Sequence, residues 1–262
     1  MGTADYVSQI LKGQLTPAEM QNAIADLKTS LTSIIQSNSE KLSQPELTFF
    51  KRSLTSHFRL LIFYGLPKVH KHPILLRPVV STTNSLLAIF STWLDYKMKE
   101  LLPHVKSYIK NSTEVIKDLK DLHIPPNAKL FSADAVSLYT NTDTASDIQA
   151  MSDFLEANGS HISPSFPNAL FLQILEIVMT RNIFSFSETF WLQLSGTAIG
   201  TPAACAYATI TFGQHENTRI LPAFSQHLLY YILQTVHRYH IWHLGPTRGE
   251  QSRSVDKLQG RN

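Results

Sequence analysis

One cysteine, Cys205, serves a chain of 262 residues. That scarcity excludes an internal disulfide and any cysteine-based zinc site, argues against thiol redox chemistry, and fits a reducing intracellular compartment. The N-terminus lacks a basic region followed by an apolar run, so no secretory signal is expected. Charge is missing altogether from Thr189 to His215, 27 residues without Asp, Glu, Lys or Arg. The run is long enough for a bilayer, but Gln193, Ser195, Gly196, Gly200, Pro202 and Gln214 interrupt it, so a buried protein segment is expected and no membrane contact. Internal repeats and low-complexity tracts are also absent. What remains is a globular composition: at 43% hydrophobic residues the chain can bury a real core, as one large domain or two small ones.

Charge is unevenly placed. Residues 51 to 129 hold 13 Lys or Arg against 5 Asp or Glu, a balance of +8, whereas residues 130 to 218 hold 1 against 8, a balance of -7. A basic half beside an acidic one suits a polyanion handled next to divalent cations, and it equally suits two solvated surfaces of ordinary composition.

Helix and strand signals follow in order. Thr16-Pro17-Ala18-Glu19 combines an N-cap, a first-turn proline and a capping-box glutamate, and Met20, Ile24, Leu27, Leu31 and Ile34 then recur at helical spacing to about Ser37. A second helix follows Pro45. Leu61 to Tyr64 and Leu75 to Ser81 read as strands around a basic loop, Leu86 to Leu102 and Thr113 to Leu122 as helices, Asn158 to Pro167 as a loop, and Leu170 to Met179 as a buried helix. Ile183 to Phe186 and Phe190 to Leu194 read as a hairpin, and Thr201-Pro202 as the start of a helix to about Phe212.

Three clusters carry candidate chemistry. Tyr64-Gly65-Leu66-Pro67-Lys68-Val69-His70-Lys71, followed by Leu76-Arg77-Pro78-Val79-Val80-Ser81, puts two lysines and an arginine on one hairpin, a geometry suited to a triphosphate or simply to solvent. Phe131 to Asn141 encloses one acid, Asp134, in an apolar strand, with Lys129 the only basic residue within ten positions. Such a carboxylate needs a partner, so Asp134 is either a metal ligand or the cap of the turn at Ser137 to Asn141. The third cluster, Gln193 to Ala204, holds Gly196-Thr197-Ala198-Ile199-Gly200-Thr201-Pro202, whose glycines permit close backbone approach ahead of a helix N-terminus.

In this order the clusters resemble the fingers and palm of a reverse transcriptase, most closely the Penelope-like retroelement branch, over roughly residues 45 to 230. The resemblance implies an α+β fold: a polymerase-type palm, an antiparallel sheet with helices on one face, plus fingers, with the thumb absent. It implies an N-terminal helical extension over 1–44, fingers and palm over 45–231, and an irregular tail over 232–262. By the same resemblance Asp134 is the catalytic palm aspartate that binds Mg²⁺, and Lys68 and Arg77 clamp the nucleotide triphosphate. Tyr139 stacks under the incoming sugar and excludes a 2′-hydroxyl. Gln193 belongs with the nucleotide site, and Lys71, Gly200, Thr201 and Pro202 with template and primer. The implied partners are an RNA template, a DNA primer and deoxynucleoside triphosphates, and the implied compartment is nuclear.

The family completes its metal site with a Tyr-x-Asp-Asp hairpin some thirty residues after the Gly-Thr-Pro turn, where this chain reads Leu228-Leu229-Tyr230-Tyr231-Ile232-Leu233-Gln234-Thr235. Only Glu250 and Asp256 remain as carboxylates after Glu216. One acid holds little against two hydrated Mg²⁺ ions, so no polymerisation is expected. His237, His240 and His243 would share a helix face, but they have neither a cysteine nor a nearby acid to join them at a metal. The tail reads as an out-of-frame or degenerate end. Sequencing the DNA beyond codon 231 checks this: an intact Tyr-x-Asp-Asp codon run in another frame is expected, and its absence from all frames removes the frameshift idea.

Overall fold

The computed structural model describes residues 13–69, 72–120, 129–133, 139, 142–220, 222, 229–235 and 238–244. They fall into two compact units, Met1–Tyr108 with Val136–His215, and Ile109–Ala135 with Glu216–Asn262.

The first unit is built on helices α1 (Pro17–Ser37), α2 (Gln44–Thr55), α3 (Ala88–Leu101), α5 (Thr144–Ala157), α6 (Asn168–Thr180) and α7 (Ala204–His215). Helix α1 starts as the sequence predicts, with Thr16 and Glu19 in a reciprocal capping box, and α2 starts at Gln44 with a second box, Ser43 with Glu46, that the sequence reading did not name; each satisfies backbone N–H groups the first turn would otherwise leave open. Helix α6 is apolar nearly all round, burying Leu170, Phe171, Ile174, Leu175, Ile177, Val178 and Met179, and α1, α3 and α5 pack on it. Helix α1, expected as an extension, contributes Leu27, Leu31 and Ile35 to this same core. Helix α5 escaped the sequence reading, because its buried positions include a charged residue, Asp147, that blurs the apolar period.

A five-stranded sheet adjoins these helices in the order β1 (Gln14–Leu15), β6 (Thr189–Leu192), β5 (Ile183–Phe186), β2 (Leu61–Lys68), β3 (Leu75–Ser81). All its pairs are antiparallel except β2 with β5. The expected α+β class is therefore the observed one. In the β2–β3 hairpin Gly65 faces Pro78 and Pro67 faces Leu76. The Val80 N–H is directed outward, to the Ile199 carbonyl at 2.7 Å, so alternate residues of β3 turn their N–H groups away from β2. Pro78 lies in that alternate set, and Pro67 lies in the matching set of β2. Neither proline costs the hairpin a ladder bond.

The second unit holds α4 (Ser112–Lys120) and a three-stranded sheet in the order β4 (Lys129–Ala133), β8 (Arg238–Leu244), β7 (Leu229–Thr235). The expectation of an irregular tail from Ile232 is thereby corrected over the described residues. Tyr, Ile, Trp and Leu dominate 229–244 and favour a pleated chain, and β7 and β8 pair in continuous register from Leu229↔Leu244 to Thr235↔Arg238. The helical spacing considered for His240 and His243 does not apply, since both lie on β8.

Helix α2 is tied to α3 through one acid. Glu46 accepts from Trp93 Nε1 at 2.8 Å and from the Ser43 N–H at 2.9 Å, and it pairs with Lys97 at 3.3 Å. Burial alone would raise its carboxyl pKa, but these donors outweigh burial and bring it from 4.5 to about 2. Because the folded value lies below the unfolded one, the stabilisation is complete above pH 4.5 and fades as pH falls toward 2. Denaturant unfolding of Glu46→Gln should show a loss of about 1 kcal/mol at pH 6, modest because the group is partly exposed, that shrinks steadily toward pH 3.

Candidate functional site

Between Leu47 and Leu94 the chain has no Asp or Glu, yet it holds Lys51, Arg52, Arg59, Lys68, Lys71 and Arg77. The β2–β3 hairpin projects from the middle of this stretch. Lys68 pairs with Leu75 and Arg77 with Leu66, so Lys68 and Arg77 share one face of the ladder as diagonal neighbours, about 7–8 Å apart at Cβ. Tyr64 lies on the same face and is 40% exposed. Two cations and an aromatic ring on an acid-free ribbon form a surface fit for phosphate and base. Lys71 lies outside the described residues.

The Gln193–Pro202 loop docks on the outer edge of this hairpin. Besides the Val80 to Ile199 bond, the Thr82 hydroxyl donates to the Gly200 carbonyl at 3.2 Å. Gly200 has φ +115°, and a Cβ there would stand 2.5 Å from the Val80 carbonyl oxygen, so a larger residue has neither the backbone conformation nor the space. Gly196 also has positive φ, at +75°. Gln193 is buried, at 5% exposure, and its Nε2 donates to the Ser195 and Gly196 carbonyls at 3.0 and 2.9 Å. The side chain thus braces its own loop, while its Oε1 has no partner among the described residues. Thr201 is buried, with Oγ1 unpartnered among the described residues. The expected helix start shifts to Ala204, since Thr201 takes part in a turn in which Ala204 N donates to its carbonyl at 3.1 Å. Pro202 is exposed on that turn.

The same loop holds Tyr139. The Thr197 N–H donates to the Tyr139 carbonyl at 2.6 Å, and the Thr142 hydroxyl donates to that carbonyl at 3.0 Å. The Gly196 N–H donates to the Thr142 carbonyl at 3.2 Å, and the Thr142 and Thr197 hydroxyls are 3.3 Å apart. The Tyr139 phenol lies 3.5 Å from the sulfur of Cys205 on the first turn of α7. Lys68, Arg77, Tyr139, Gln193, Gly200, Thr201 and Pro202 all belong to the first unit, where the loop bonds directly to β3, to Tyr139 and to Thr142. Asp134 lies outside the described residues. Thr142 was missed in the sequence, and Thr197 was named only as part of the glycine-rich motif, because their work here is done by backbone groups and by hydroxyls that any threonine carries.

A buried polar group sits between α5 and α7. Asp147, 4% exposed, brings Oδ1 to 3.4 Å from His215 Nε2. Burial, reinforced by the negative charges of Asp147 and Asp143, pushes the fully buried Tyr207 phenol far above its usual pKa. Among the described residues no three His, Cys, Asp or Glu side chains gather as metal ligands would, and no helix is long and apolar enough to cross a membrane.

Comparison with protein-family models and with curated proteins finds no match. Solved structures do match. Telomerase from Candida albicans in complex with a TWJ fragment of telomeric RNA aligns with TM-score 0.53 at 11% identity, over 80% of this chain and 41% of that one. Apo telomerase from Candida tropicalis aligns with TM-score 0.52 at 10% identity, over 79% of this chain and 41% of that one. The Candida tropicalis enzyme with the same kind of RNA fragment aligns with TM-score 0.53 at 10% identity, over 79% and 39%. At such identities the likeness is one of fold: a reverse-transcriptase-like α+β architecture, of which this chain spans about two-fifths of the telomerase length.

The close approach at Gly200 is testable by substitution. Gly200→Ala should cost about 2 kcal/mol or more, because the clash is with backbone and the φ is positive. Gly159→Ala, where a Cβ meets only ordinary contacts, should be nearly neutral by the same urea-unfolding measurement.

Proposed function

We propose that this chain is the reverse-transcriptase domain of a retroelement, of the Penelope-like kind, that has lost polymerase activity. What supports the reading is the convergence described above. The basic hairpin, Tyr139 and the Gly-Thr-Pro loop lie far apart in the chain, yet they are joined by backbone hydrogen bonds within one unit. In this reading Lys68 and Arg77 hold the triphosphate, Tyr139 meets the sugar, and the loop and Lys71 serve template and primer. By its distance in sequence from the Gly-Thr-Pro loop, β7–β8 would correspond in this reading to the family's Tyr-x-Asp-Asp hairpin; it pairs with β4, the strand that precedes Asp134 in the chain. Residues 229–244 contain no carboxylate. Mg²⁺ in such enzymes activates the primer hydroxyl and steadies the leaving pyrophosphate, but Asp134 alone is a poor set of donors for it, so no phosphoryl-transfer step is assigned to this chain.

A second reading is favoured by the acid-free stretch: a non-catalytic protein that binds nucleic acid through its basic fingers. Primer extension on a primed RNA template with Mg²⁺ should give no product, and product that disappears in Asp134→Ala would refute the loss of activity. Binding of the same primed template should weaken as salt rises from about 50 to 200 mM, and Lys68→Ala or Arg77→Ala should each lower the salt slope by about 1. Salt-insensitive binding, or none, would exclude both readings.

A further inference from the structure

One hydroxyl in the first unit stands at the centre of the bonds that hold Tyr139. Thr142 Oγ1 donates to the Tyr139 carbonyl at 3.0 Å, and the Thr197 N–H donates to the same oxygen at 2.6 Å, so two donors take up both of its lone pairs. Because Thr142 Oγ1 has committed its proton to that bond, the Thr197 hydroxyl, 3.3 Å away, is the donor toward it. The result is a relay from Thr197 through Thr142 to Tyr139, an order in which each bond polarises and strengthens the next. Thr197 is 3% exposed, which keeps water from taking its place. The Thr142 carbonyl in turn accepts from the Gly196 N–H at 3.2 Å. Thr142 therefore grips Tyr139 and the glycine-rich loop at once, and the loop is tied to β3 through Val80 and Thr82.

We infer that Thr142 is a positioning residue for the Tyr139 ring. A carbonyl held by two donors fixes the peptide plane that follows Tyr139, and with it the direction in which the side chain leaves the backbone. Staggered rotamers then leave the ring few places to stand. Its far end meets the sulfur of Cys205 at 3.5 Å, on the first turn of α7, so the ring is held at both ends. Tyr139 is half-buried, and part of the ring stays open to a ligand. This role rests on the reading above in which Tyr139 meets the sugar of a nucleotide: a ring held in place excludes a 2′-hydroxyl by contact, and a ring free to swing away admits it. Loss of the Thr142 hydroxyl leaves the Thr197 N–H on the carbonyl but takes from the buried Thr197 hydroxyl the acceptor it has in Thr142, so the two sides of the grip loosen together.

Cys205 is the only cysteine of the chain, so a thiol reagent reports on the ring with no nucleotide present. Alkylation of the full chain by iodoacetamide should run about twofold faster in Thr142→Val, which keeps the shape and drops the hydroxyl, the gain being modest because the thiol is exposed already. Thr142→Ser, which keeps the hydroxyl, should react at the wild-type rate, and Tyr139→Ala sets the rate of the uncovered thiol. A second arm measures dATP and ATP binding separately by equilibrium dialysis. The wild-type preference for dATP should fall about fivefold in Thr142→Val and persist in Thr142→Ser. A merely structural loss would weaken both nucleotides alike and leave their ratio unchanged. An unchanged alkylation rate in Thr142→Val, or an equal rise in Thr142→Ser, overturns the positioning role whatever the nucleotides do. A faster rate beside an unchanged dATP to ATP ratio overturns the link from Thr142 to the choice of sugar. A faster rate in Thr142→Val when the wild type itself shows no preference upholds the positioning of the ring and overturns the sugar reading of Tyr139 instead.

Discussion

The 2.7 Å hydrogen bond from the Val80 N–H to the Ile199 carbonyl joins the basic hairpin to the Gly-Thr-Pro loop. Val80 ends the last strand of the five-stranded sheet, and Ile199 sits in the loop that leads into α7 and the helical core. The loop could not reach the strand at any residue with a side chain at position 200. The same loop also holds the Tyr139 carbonyl, so a single backbone path connects a basic hairpin, Tyr139 and a helix start. Side chains at these positions contribute chemistry. The backbone decides where that chemistry stands.

Charge is organised on the same principle of segregation. From Leu47 to Leu94 the chain avoids carboxylates, while Asp147 is buried between α5 and α7 beside His215. A negative charge on the hairpin would repel the phosphates for which its cations are suited, whereas one held inside the helical layer is shielded from them by protein. The hairpin thus carries cations and no carboxylate of its own.

Much of this was legible in the sequence. The capping box at Thr16, the strand at 75–81 and the first half of that at 61–68 announce themselves through local rules that tertiary packing did not override, whereas the capping box at Ser43 and the extension of β2 to Lys68 emerge only in the structure. The residues of the loop were legible as a motif, but their mutual contacts were not, because hydrogen bonds from Val80, Thr82 and Thr197 are backbone or generic hydroxyl interactions that leave no compositional trace. Helix α5 was hidden by its buried aspartate, and the β7–β8 pairing by histidines that drew attention to metal chemistry. Gln193 illustrates a subtler limit. A polar residue before a glycine-rich turn suggests contact with a ligand, yet its amide is occupied in fixing the turn itself.

Pro67 and Pro78 carry a consequence beyond the hairpin. The ribbon exposes Leu66, Val69, Ile74, Leu75 and Leu76, an apolar surface that in most edge strands would invite a second chain to pair along it. A β-strand arriving at the outer edge of β3 would need the outward N–H of every second residue, and Pro78 removes one such donor in the middle while the Ile199 loop already holds the next. The hairpin can therefore keep an apolar, cationic face open to solvent without polymerising edge to edge.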